Sequence, residues 1–126
     1  MAPSVLIAED SATMRAFIVS TIEEIGDFNI VEAGSGFEAL KALPRNKFDL
    51  IITDINMPDI NGLELINFVK KNPSYLSIPL IIISTESSEK DREKGLALGA
   101  DEYITKPFKP EELQNKVRTY LGDKIK

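Results

Sequence analysis

The side chains in this sequence best suited to chemistry stand directly behind short apolar runs. Glu9-Asp10-Ser11 follow Val5–Ala8, and Asp54 follows Leu50–Thr53, trailed by Ile55-Asn56-Met57-Pro58. Ser84-Thr85 follow Leu80–Ile83, and Lys106-Pro107-Phe108 follow Tyr103–Thr105. Carboxylates brought together without a cation repel one another and hold each other's protons. A hard divalent cation relieves that conflict. The chain has no cysteine and no histidine, so only oxygen donors are on offer, which points to Mg2+ rather than zinc. Magnesium takes one or two carboxylates and completes its shell with water and phosphate oxygens, a demand that Glu9, Asp10 and Asp54 match. A lysine ammonium (Lys106) and a hydroxyl (Ser84) would neutralise further phosphoryl oxygens, and phosphoryl transfer is catalysed by such positioning and charge neutralisation. A carboxylate can itself be the nucleophile, giving an aspartyl phosphate. Asp54 is the best acceptor, because it stands alone at the end of a central strand.

Taken singly, each of these residues has a plainer use. Asp10 or Ser11 can cap a helix, Asp54 can belong to the turn before Pro58, Ser84 can cap the following helix, and Lys106 can be a solvated lysine. The plain readings must hold together at four separate strand ends, and the joint chemical reading explains all of them at once.

The elements that would carry these residues are legible from periodicity. The runs at Val5–Ala8, Ile30–Ala33, Leu50–Thr53, Leu80–Ile83 and Tyr103–Thr105 read as strands, and the most β-branched of them as strands buried on both faces of a parallel sheet. Between them, Met14, Phe17, Ile18, Thr21, Ile22 and Ile25 keep helical spacing, with Gly26 at a C-cap position. Phe37, Leu40 and Leu43 mark a second helix ended near Pro44, and Leu63, Ile66, Phe68 and Val69 a third closed by Asn72-Pro73. Leu96 and Leu98 belong to a fourth stopped at Gly99; Leu113, Val117 and Leu121 mark a fifth started by Pro110. The order is (βα) repeated five times, which predicts an α/β doubly wound five-stranded parallel sheet with helices on both faces and function at the carboxyl ends of its strands.

The 126 residues suit one domain, 1–126, and 43% hydrophobic with 28% charged residues is an ordinary globular balance. A net charge of −5 argues against a nucleic-acid partner. No apolar stretch approaches the roughly 20 residues of a membrane helix, and the start MAPSVLIAEDS lacks the basic region of a signal peptide. The expectation is a cytoplasmic protein with neither nucleic-acid nor membrane partners.

Four segments in order, LIAEDS (6–11), TDINMPDINGLEL (53–65), IIIST (81–85) and LGADEYITKPF (98–108), resemble the bacterial two-component response-regulator receiver family, in particular its stand-alone chemotaxis (CheY-like) type. The resemblance implies strand order 2-1-3-4-5 and a phosphoryl-accepting switch rather than a turnover enzyme. It implies Asp10 and Asp54 as direct Mg2+ ligands, Glu9 acting through water, and Asn56 giving its backbone carbonyl. Asp54 is then also the phosphoacceptor, Ser84 and Lys106 bind phosphoryl oxygens, and Tyr103 occupies the aromatic switch position. The implied partners are a histidine kinase as phosphodonor and a downstream protein met through the fourth helix, fifth strand and fifth helix. With nothing after Lys126 resembling an effector domain, the expected signal is protein contact. Receivers of this type carry the bond matching Lys106-Pro107 as cis, and geometry agrees, because Lys106 must turn over the strand ends while Phe108 returns to the core. Asn56 and Glu86, two residues beyond Asp54 and Ser84, are expected to hold water near the phosphoryl group and set a short lifetime.

Rival readings fit less well. A phosphatase of the haloacid-dehalogenase type needs an acid two residues after the acceptor, where this chain has Asn56. Gly34-Ser35-Gly36-Phe37-Glu38-Ala39 fits a dinucleotide-binding pattern, but it follows the second strand and leaves Glu9, Asp10 and Lys106 unexplained; its glycines read as a helix start. A calcium loop beginning at Asp54 needs glycine and glutamate where Asp59 and Leu65 stand. A phosphorylation-dead module of the same fold would lack part of the chemical set, and every member is present.

Overall fold

Strands β1 (Ser4–Ala8), β2 (Asn29–Ala33), β3 (Leu50–Thr53), β4 (Leu80–Ser84) and β5 (Glu102–Thr105) form one sheet in the order β2-β1-β3-β4-β5, in a computed structural model that describes residues 2–85 and 89–125. All pairings are parallel, with Val5 beside Ile30 and Leu50, Ile52 beside Ile81, and Ser84 beside Thr105. This is the doubly wound architecture the periodicity predicts. Strand bounds agree within a residue; β1, β2 and β5 each start one residue earlier, and β4 includes Ser84.

Helices α1 (Ala12–Glu23), α2 (Gly36–Ala42), α3 (Gly62–Lys71), α4 (Glu89–Ala97) and α5 (Pro110–Leu121) connect the strands. Alternate strand residues divide the core. Leu6, Ile51, Leu80, Ile82 and Tyr103 join Ala39, Leu65, Ile66 and Val69 beneath α2 and α3. Val5, Ile7, Leu50, Ile52, Ile81 and Ile104 join Ile18, Ile22, Leu113, Val117 and Leu121 beneath α1 and α5. With β3 and β4 buried on both faces, their side chains need no polar alternation, which is why they read as unbroken apolar runs.

Helix starts follow side-chain capping. Ser11 accepts from the Met14 amide, Ser35 from the Glu38 amide, and Asn61 from the Glu64 amide in a reciprocal capping box. Gly34 and Gly36 therefore lead into α2, as expected. α2 ends ahead of a short 3-10 turn, Leu43–Arg45, that holds Pro44, and α3 ends at Asn72.

Several local expectations are corrected. Gly26 does not cap α1: the helix ends at Glu23, and the cap, Glu24, is right-handed at φ −67°. Gly99, at φ 116°, does turn the chain after α4, as expected. Phe17, Phe37 and Phe68 continue the apolar stripes of their helices in sequence but are 39%, 54% and 44% exposed. In α4 the buried residue is Gly95, whereas Leu96 is exposed and Leu98 lies beyond the helix. A Cβ on Gly95 would come within 2.5 Å of Ile82 Cδ1, so α4 approaches the sheet through a glycine and not through leucines.

Candidate functional site

The carboxyl ends of β1, β3, β4 and β5 lie side by side because the strand order places β1 next to β3, β3 next to β4 and β4 next to β5. Past the last residue of β1, Glu9 is 1% exposed while Asp10 faces solvent; past β3, Asp54 is 7% exposed. One carboxylate oxygen from each of Glu9, Asp10 and Asp54 lies within 4.8 Å of the others, a grouping able to hold a metal ion. The set is oxygen-only, mixes buried and exposed acids, and opens to water through Asp10, which suits a hard cation that keeps part of its hydration.

Asp54 is held at both oxygens. Its Oδ1 accepts from the Ile55 amide at 2.6 Å and the Asn56 amide at 3.4 Å, and its Oδ2 accepts from Lys106 Nζ at 3.0 Å. Its own amide donates to the Ala8 carbonyl, extending the β1–β3 ladder one step beyond the strands. Helix α3 closes on the same backbone: the Gly62 amide donates to Ile55, and a Cβ at position 62 would lie 2.0 Å from the Asp54 carbonyl oxygen. Only a glycine permits that approach. The preceding loop turns through Asp59 at φ 47° and is tied to α2 by the Phe37 amide donating to Asp59 Oδ2. Asn56, exposed on this loop, stands beside the acceptor.

Lys106 reaches across the sheet. The Lys106–Pro107 peptide is cis, as expected, and the ammonium lies 2.7 Å from Glu9 Oε1 as well as 3.0 Å from Asp54 Oδ2. The three side chains are at most 10% exposed. Burial disfavours the Lys106 charge, but hydrogen bonds to Glu9 and Asp54 outweigh it and raise its pKa above the ordinary lysine value. Burial also raises the Glu9 carboxyl above its usual range, against the opposing pull of Lys106 and the Ser11 amide. Glu9 is thus a direct partner of the lysine in this structure; its expected contact with a metal through water stays an expectation.

Ser84 is fully buried at the end of β4, and Tyr103, 7% exposed, is packed in the core shared with α2 and α3. A Cβ at Gly95 would sit 3.8 Å from the Tyr103 ring, so the aromatic residue lies under α4. Glu86 lies outside the described residues. Arg15 was missed by sequence reasoning. Its Nη1 donates to the Glu9 carbonyl at 2.7 Å and its Nε to Glu32 Oε1 at 3.0 Å. The available signal was a cation near the start of α1, where the helix dipole disfavours positive charge unless a specific acceptor compensates.

Comparison with known proteins agrees with this architecture. The family model described as the response regulator receiver domain matches residues 5–118. The chain is 38% identical over 118 residues to the chemotaxis protein CheY homolog of Campylobacter jejuni, covering 93% of this chain and 91% of that one. It is 38% identical over 118 residues to chemotaxis protein CheY1 of Helicobacter pylori, covering 93% and 95%. The solved structure of the Vibrio cholerae chemotaxis response regulator CheY4 aligns with a TM-score of 0.87 at 32% identity over 96% of this chain and 100% of that chain.

Proposed function

The chain belongs to the response regulator receiver family, and we propose that its switch is thrown when a phosphoryl group passes from a phosphohistidine of a histidine kinase to Asp54. The observation that carries this is the buried contact of one ammonium, Lys106, with Asp54 and Glu9 beside the exposed carboxylate of Asp10. An Asp54 carboxylate oxygen attacks phosphorus, the phosphorus–nitrogen bond breaks, and its electron pair returns to the imidazole, which takes a proton from water. A bound Mg2+ would be held by Asp10, Asp54 and the Asn56 carbonyl, with Glu9 acting through water, and would neutralise charge on the incoming phosphoryl group. Lys106 exchanges a carboxylate contact for a phosphoryl oxygen, and the Ser84 hydroxyl donates to another. Asn56 cannot act as an acid, so hydrolysis is slow beside that of a phosphatase and the chain works as a switch rather than as a turnover enzyme.

Output runs through protein contact. Tyr103 packs under α4 on the strand whose Thr105 pairs with Ser84, which favours the face of α4, β5 and α5 for the downstream protein. Similarity to the Campylobacter and Helicobacter chemotaxis proteins supports a chemotaxis-type role for this single receiver unit, 1–126, in the cytoplasm. A phosphorelay role is the second reading, favoured if phosphoryl leaves Asp54 for another histidine. Among the described residues no helix is long and apolar enough to cross a membrane.

The test is incubation with acetyl phosphate and Mg2+, followed by intact-mass measurement. One phosphoryl group should add to the protein and none to Asp54→Asn with circular dichroism unchanged. Equal incorporation in that variant would remove Asp54 as the acceptor.

A further inference from the structure

We propose that Arg15 is a positioning residue for the acidic pair: by holding the Glu9 carbonyl it orients the Glu9–Asp10 peptide and so sets how well the carboxylates bind a divalent cation. The inference rests on the metal-dependent switch proposed above.

The link between β1 and α1 consists of Glu9, Asp10 and Ser11. Its two ends are fixed by the main chain, since the Glu9 amide donates to Ala33 of β2 and the Ser11 carbonyl accepts from the Arg15 amide of α1. The Glu9 side chain is fixed too, with Oε1 on Lys106 and Oε2 on the Ser11 amide. What these contacts leave unset is rotation of the peptide between Glu9 and Asp10. The Glu9 carbonyl belongs to that peptide, and Arg15 Nη1 donates to it at 2.7 Å. Rotating this plane swings the Asp10 Cα–Cβ bond, and Asp10 is the exposed member of the cluster.

The guanidinium is itself braced. Its Nε donates to Glu32 Oε1 on β2 at 3.0 Å, and the Arg15 side chain is 21% exposed. A planar fork with donors in fixed directions can join a carboxylate on one element to a carbonyl on another; a single ammonium cannot reproduce both directions. Glu32 faces solvent with 49% of its side chain exposed, so an ion pair there adds little stability by itself. The arrangement makes more sense as orientation of the carbonyl than as a stabilising surface bridge.

The sign of the effect separates this role from simple electrostatics. Arg15 carries positive charge near a cation site, so Coulomb's law alone says its removal should tighten Mg2+ binding. Loss of an orienting contact weakens it, and groups that orient metal ligands typically change affinity by roughly 10- to 100-fold. As the contact is to the backbone and not to a ligand atom, the lower end applies.

The experiment is calorimetric titration of Mg2+ into the wild-type chain, Arg15→Met and Arg15→Lys, with thermal melts in chelator to check folding. Arg15→Met keeps the aliphatic stem and should weaken binding about tenfold; Arg15→Lys, which can still donate to the carbonyl, should fall between it and wild type. In acetyl phosphate labelling the half-saturating Mg2+ concentration should shift by the same factor, while the rate at saturating Mg2+ stays within about twofold, because Arg15 touches no reacting atom. Unchanged or tighter binding in Arg15→Met, or Arg15→Lys no better than Arg15→Met, overturns the inference. If Arg15→Met fails to fold, the comparison of Arg15→Lys with wild type decides, and wild-type affinity there overturns it. A wild-type chain that binds no Mg2+ overturns the metal-dependent switch itself and this inference with it.

Discussion

Replacing Lys106 by methionine keeps the bulk of the side chain and removes the ammonium that two buried carboxylates share. Lys106 Nζ lies 2.7 Å from Glu9 and 3.0 Å from Asp54, and these carboxylate side chains are 2% and 9% exposed. Breaking a buried ion pair from one side costs about 3–5 kcal/mol, since the remaining charge keeps its burial and loses its partner. Here Asp10 opens the cluster to water, so the low end applies: about 3 kcal/mol in chelator, or roughly 10 °C in Tm for a domain of this size. Saturating Mg2+ returns positive charge to the same corner and should reduce the loss to about 1 kcal/mol. The Glu9 carboxyl, already raised by burial, also loses the lysine hydrogen bond that pulls it down. A carboxyl whose folded pKa lies above its unfolded value contributes stability at low pH that is lost as pH rises through the folded pKa. The chelated variant should therefore recover part of its deficit against wild type as pH is lowered from about 8 to about 5. Urea melts of both proteins, in EDTA and in Mg2+, read all of this. A loss below about 1 kcal/mol in EDTA, or the same loss with and without Mg2+, would show that the buried pair is not what holds this corner together.

Two further expectations rest on particular contacts, and a third on the positions two residues beyond Asp54 and Ser84 in the sequence. Gly62→Ala places a Cβ 2.0 Å from the Asp54 carbonyl oxygen; it should cost about 2–3 kcal/mol in urea melts and slow acetyl phosphate labelling by moving the acceptor backbone. At Asp49, burial raises the carboxyl, but Lys124 at 2.7 Å and the Ser4 amide at 2.8 Å outweigh it and hold the pKa below the ordinary aspartate value. Its contribution is present above the unfolded pKa and lost as pH falls through the folded one, so Asp49→Asn should destabilise by under about 1 kcal/mol at neutral pH, with the gap closing in acid melts. Asn56→Leu, and likewise Glu86→Leu, should slow loss of label from Asp54 in Mg2+, because a larger apolar side chain excludes the attacking water; loss at the wild-type rate in both would show that these positions do not control access.

What the sequence alone determined is the sheet and which side chains gather at the carboxyl ends of its strands. Strands such as Leu50–Thr53 and Leu80–Ser84 are buried on both faces, so their composition alone announces them, without help from any partner. The candidate site side chains were legible because a parallel sheet presents every strand's carboxyl end on one side, and Asp54, Ser84 and Lys106 each stand at such an end. Tertiary structure decided what local periodicity cannot carry. Whether Phe17, Phe37 or Phe68 is covered depends on how far each neighbouring element extends over its helix, and the tight seat of α4 depends on the space above Ile82, where only Gly95 fits. Glu9 and Lys106 are 97 residues apart in sequence, and their pairing exists because the parallel sheet sets the carboxyl ends of β1 and β5 on the same side, with β3 and β4 between them, and burial strips both charges of water. Arg15 is the same case on a smaller scale. A cation near the start of α1 is unfavourable to the helix by itself, and it becomes useful only when β1 and β2 set a carbonyl and a carboxylate in the two directions in which its fork can donate.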